Sequence, residues 1–100
     1  MGIYAETSGA SVTCKNAKVA GLVYKKLKEQ AKKSDEYSND FAKELEQDGS
    51  VVYFKADSGR IQNLEWQIDA IWELVKDIKG VKELQAPFLV EDNGVYYSND

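Results

Sequence analysis

A chain of 100 residues has room for one domain, because either half alone would be too small to bury a core without staples. Its 43% hydrophobic and 30% charged residues exclude a disordered or fibrous chain, and the absence of histidine together with a single cysteine removes the commonest general base, thiolate zinc sites, CxxC redox pairs and any internal disulfide. The net charge of −4 conceals a basic segment, +6 over residues 15–33, against −9 over residues 34–100, and this acidic balance opposes nucleic acid at long range.

At the start of the chain no basic segment precedes an apolar run, so no signal peptide is expected. The longest apolar stretches, residues 51–54 and 88–90, fall far short of the roughly 20 residues of a membrane span. A lone Cys14 fits a reducing compartment, which points to a cytoplasmic protein with Cys14 as a small buried hydrophobe.

Residues 3–7 and 11–14 read as short strands around Ser8-Gly9-Ala10, either a hairpin or one kinked strand. Asn16 can cap a helix running to about Lys33, because Val19, Ala20, Val23, Tyr24, Leu27 and Ala31 recur on one face while lysines fill the other. Leu22 falls among those lysines. Phe41, Ala42 and Leu45 mark a second short helical stretch, over residues 35–48, ending near Asp48-Gly49, unless both segments form one long helix bent near Ser38-Asn39.

Residues 50–57 alternate as a strand, with Val52, Phe54 and Ala56 toward the helices and Val51, Tyr53 and Lys55 away from them. Asp57-Ser58-Gly59 then turns the chain into a helix over residues 60–79, whose stripe is Ile61, Leu64, Ile68, Ile71, Trp72, Val75 and Ile78, stopped by Gly80. Asn93-Gly94 predicts a two-residue turn between strands at residues 88–91 and 95–97, pairing Glu91 with Tyr96 and Val90 with Tyr97. That register puts Phe88, Val90 and Tyr97 on one side and Leu89, Glu91 and Tyr96 on the other. Pro87 suits the first residue of a strand or an edge.

The order β(β)-α-α-β-α-β-β calls for an α+β fold in a single domain spanning residues 1–100. The expected architecture is a two-layer α/β sandwich with a mixed or antiparallel sheet of three to five strands, two to three helices on one face and a C-terminal β-hairpin. A ferredoxin-like topology is one candidate, although the terminal hairpin does not follow its usual element order.

No pair of carboxylates stands out by spacing, and neither serine-glycine pair resembles a nucleophile elbow. No phosphate loop, dinucleotide loop or calcium loop occurs. The expectation is therefore a protein that is not an enzyme and takes no cofactor or metal.

Three surfaces have the composition for contact. The lysine face of the first helix could meet anions, but it has no arginine and no aromatic platform for bases. On the long helix, taking Ile61 as zero, Trp66 falls at about 140° among Asp69 at about 80°, Glu73 at about 120° and Asp77 at about 160°, away from the apolar stripe. A large aromatic ringed by acids is the composition of a hot spot for a basic protein partner. The sheet face without helices gathers Val51, Tyr53, Leu89 and Tyr96 as a candidate dimer or ligand face.

The resulting functional expectation is a small acidic, non-catalytic protein-interaction domain of inhibitor, immunity or adaptor type. It would act through Trp66, Asp69, Glu73 and Asp77, as a monomer or homodimer, away from membranes. The competing reading is a small-molecule-binding regulatory module with a ligand between the tyrosine-bearing sheet edge and residues 57–60. A nucleic-acid binder using the lysine helix comes third.

Overall fold

The computed structural model describes residues 5–7, 9–33, 43–58, 61–89 and 94–99. Among them the chain forms β1 (Ala5–Glu6), β2 (Ala10–Cys14), α1 (Ala17–Lys33), β3 (Lys43–Asp48), β4 (Val51–Lys55), β5 (Asp57–Ser58), α2 (Ile61–Val75), β6 (Val81–Pro87) and β7 (Gly94–Ser98). Five strands make one antiparallel sheet in the order β3-β4-β2-β6-β7, and β1 pairs with β5. Because β4 and β6 both run antiparallel to β2, they run parallel to each other and α2 is the crossover between them. By the same reasoning α1 joins the parallel pair β2 and β3. The first four strands of the sheet and the two helices thus follow the ferredoxin-like βαββαβ order, and β7 extends it at the β6 edge.

The N-terminal segment is the kinked strand and not the hairpin. Thr7 is bonded to Ala56 and Ala10 is paired with Phe54, while on the other side Thr7 bridges Phe88 and Ser11 faces Gln85. Buried Thr7 anchors this segment: its N–H donates to the Ala56 carbonyl at 3.0 Å and its Oγ1 accepts the Ala56 N–H at 3.2 Å.

Asn16 caps α1 as expected, its Oδ1 accepting the Val19 N–H at 3.0 Å. Val19, Ala20, Val23 and Leu27 are buried beneath α1, and Leu64, Ile68, Ile71, Trp72 and Val75 beneath α2. Both sets pack on one sheet face, against Ala10, Val12 and Cys14 of β2, Val52 and Phe54 of β4, and Leu84 and Ala86 of β6, in one contiguous core. Cys14 lies inside this core, where burial pushes its thiol above the ordinary value and keeps it protonated at neutral pH.

The structure corrects several sequence expectations. Residues 43–48, read as part of a helix over residues 35–48, form the edge strand β3, and residues 34–42 lie outside the described residues. Ladder pairing to β4 outweighs the helix preference of this charged segment, and Asp48-Gly49 opens a hairpin, with Asp48 opposite Val51 and Gly49 at φ +60°. The α2 helix ends at Val75, earlier than residue 79, because the chain tightens through Ile78 N–H to the Val75 carbonyl at 3.0 Å and Val81 N–H to the Ile78 carbonyl at 3.1 Å.

The C-terminal hairpin is present, but residues 88–93 lie between paired Pro87 and Gly94, so Gln85 meets Tyr96 and Leu84 meets Tyr97. Phe88 and Leu89 are drawn toward β1, through the Thr7 bridge and the Leu89 N–H to the Glu6 carbonyl at 3.0 Å. Pro87 accordingly ends a strand and does not begin one. The register moves by six residues, an even number, so Tyr97 still faces the core and Tyr96 still faces away.

Candidate functional site

The long helix positions the acidic aromatic surface. Its apolar stripe is committed to the sheet, which leaves Trp66 pointing outward with 62% of its surface exposed. Asp69 and Glu73 are exposed along the same face, together with Glu65, an acid the sequence reading left out although it is one helical step from Asp69. Trp72, six residues beyond Trp66, is 6% exposed and stacks on Tyr97 of β7, with ring centroids 5.6 Å apart and an interplanar angle of 13°. The 3.6-residue period separates the two tryptophans into a core residue and a surface residue.

Two of the acids already hold protein groups. Asp69 accepts the Tyr97 hydroxyl at 3.1 Å, and Glu73 pairs with Lys76 at 3.1 Å. The Glu73–Lys76 contact follows helix spacing and is legible in the sequence, whereas the Tyr97–Asp69 bond joins residues 28 apart and depends on the fold. Asp77 is exposed in the turn just beyond the helix end.

Burial, the hydrogen bond to Asp69 and the nearby charges of Glu65 and Glu73 push the Tyr97 phenol up to about 12, so the phenol stays protonated. A phenol whose folded pKa is raised stabilises the fold fully below its ordinary value near 10, and that contribution is lost as pH rises from 10 through 12. We therefore expect alkaline unfolding to show a loss of about 1 kcal/mol over this window, allowing for solvent screening at a partly exposed group. In Tyr97→Phe that part of the pH dependence should vanish; urea melts between pH 8 and 12 make the comparison, and identical slopes in both proteins would refute it.

The sheet face away from the helices does not assemble the four residues assigned to it into one patch. Pairing places Tyr53 opposite Ser11, Ser11 opposite Gln85 and Gln85 opposite Tyr96, so the two tyrosines stand three strands apart, roughly 14 Å. Ser11 and Gln85 fill the interval with polar groups. Tyr96 donates to Glu83, Val51 is half-buried, and exposed Leu89 lies beyond the end of β6.

Among the described residues no group of three or more Cys, Asp or Glu side chains is placed to hold a metal ion, and no helix is long and apolar enough to cross a membrane. Compared with protein-family models, curated proteins and solved structures, the chain matches none.

Proposed function

We propose that this chain is a small acidic, non-catalytic protein-interaction domain of inhibitor, immunity or adaptor type. It binds a protein bearing a basic patch through Trp66, Asp69, Glu73 and Asp77. The observation that carries this reading is the exposure of Trp66 in the middle of an acidic helix face, while the neighbouring Trp72 is spent on the core. Enclosing an exposed indole in a partner's pocket removes a large apolar area from water, and acids around it favour lysine and arginine on the facing surface.

The test is a pair of baits, the native chain and Trp66→Ala, presented to an extract of the source cells, followed by titration of the retained protein in purified form. Trp66→Ala should weaken binding by about 2 kcal/mol or more, roughly thirty-fold, with its denaturation midpoint unchanged. Unfolding of Trp66→Ala would return the indole to the core and end the proposal. A metabolite that raises the melting temperature, with no protein retained, would favour the regulatory-module reading.

A further inference from the structure

We propose that the outer surface of the helix layer is self-complementary, so that a second copy of this chain docks on it with α1 of each copy against α2 of the other. This rests on the reading of α2 as a docking surface and names the basic partner as the same molecule. Within α1, six lysines stand against one acid, Glu29, and Lys18, Lys25, Lys26, Lys28 and Lys32 are exposed. Lys28 turns onto Tyr24, at 3.1 Å from its hydroxyl and 5.2 Å from the ring centroid, while Lys18, Lys25, Lys26 and Lys32 make no ion pair among the described residues. Within α2 there are three acids and no base, and all three acids are exposed.

The two helices lie side by side on one sheet face, so each molecule presents a positive half and a negative half on the same side. Two copies meeting face to face about a two-fold axis along the helices put α1 over the partner's α2 twice. An axis across the helices puts lysine over lysine and acid over acid. The charge pattern therefore selects the first arrangement, which is isologous and closes at two copies.

Spacing agrees with charge. Opposite its buried stripe, α1 carries Lys18, Lys25 and Lys32 at seven-residue intervals, and α2 carries Trp66 and Glu73 at the same interval, about 10.5 Å along a helix. Both helices thus present their outward groups at the same axial repeat. Leu22, half-exposed at 50%, adds apolar surface on the α1 side. Helices of 17 and 15 residues offer a footprint of roughly 25 by 20 Å per copy, which belongs with weak, salt-sensitive interfaces.

Sedimentation velocity of the full chain, in 20 and 500 mM NaCl and up to 500 µM protein, provides the test. The native chain should form dimers at low salt, with dissociation at least ten-fold easier at high salt. Lys25→Glu and Glu73→Lys, both exposed changes, should each be monomeric, while their equimolar mixture should dimerise nearly as well as the native chain, because both halves of the mixed interface regain opposite charges. A native chain that stays monomeric at 500 µM and low salt overturns the proposal. So does a dimer indifferent to both reversals, a series growing beyond two copies, or lysine-dependent binding of duplex DNA by a monomer. Failure here with Trp66→Ala still losing its captured partner leaves the interaction reading standing; a salt-sensitive dimer that Trp66→Ala does not disturb, together with retained capture, removes that reading instead.

Discussion

Trp72→Ala should cost about 3–5 kcal/mol of stability, against a total of 5–15 kcal/mol for a domain of this kind. Two losses combine. The indole is 6% exposed within the core cluster, so truncation leaves a cavity that the sheet and α2 cannot close without moving. The indole also seats the Tyr97 ring, and through it β7, which has a sheet neighbour on one side only. Unfolding in urea should give the lower midpoint, and hydrogen exchange should show the amides of Val95–Tyr97 losing protection before those of the central strand β2. Trp66→Ala in the same assay should change stability by less than about 0.5 kcal/mol, as a surface substitution does. Equal costs at the two tryptophans would mean that the division between core and surface on α2 is wrong.

That division was readable from the sequence because a helix repeats its face every 3.6 residues, so position alone assigns each side chain of α1 and α2 to core or solvent. Strand β4 was readable for a similar reason, its alternation of Val52 and Phe54 with Val51, Tyr53 and Lys55 having a single parity. The strand Val81–Pro87 was not foreseen. Leu84, Ala86 and Phe88 do alternate, but Val81 is out of step with them, and the structure shows why: the β2 pairing shifts between Thr13 and Cys14.

Residues 43–48 were misread on stronger grounds. They carry one aliphatic side chain, Leu45, amid residues that favour helices, and β3 exists because β4 offers it a ladder. Its irregularity, an extra residue between Lys43 and Glu46 with Glu44 at φ 52°, is a device that suits an edge and leaves no sequence period to detect. At the candidate site, helix geometry pointed Trp66 and its acidic neighbours away from the apolar stripe. It did not decide whether another segment folds over the indole; the 62% exposure of Trp66 is a finding of the structure. The Tyr97 hydroxyl on Asp69 could not have been found so, since the strand that delivers it meets α2 only after the sheet is assembled.

Gly80→Ala should cost about 3 kcal/mol. Gly80 sits at φ +103°, where a side chain strains the backbone, and a Cβ built there would lie 2.7 Å from Cγ2 of Val19, a residue of the first turn of α1. The neighbourhood cannot easily yield, because the Gly80 carbonyl accepts the Lys15 N–H at 2.7 Å and so ties the end of the α2 segment to the start of α1. Gly49→Ala separates the two contributions: φ is +60° there, but no atom lies within 4 Å of the added methyl, so only the backbone term of about 1 kcal/mol remains. The excess at Gly80 should shrink when Val19 is shortened to Ala in the same molecule, beyond the sum of the two single effects, since the two side chains compete for one space. A double-mutant cycle by urea denaturation reads this coupling directly. Additive costs, or a Gly80→Ala protein no weaker than Gly49→Ala, would show that α1 can shift away from the junction and that the close approach at Gly80 does not fix how the two helices sit on the sheet.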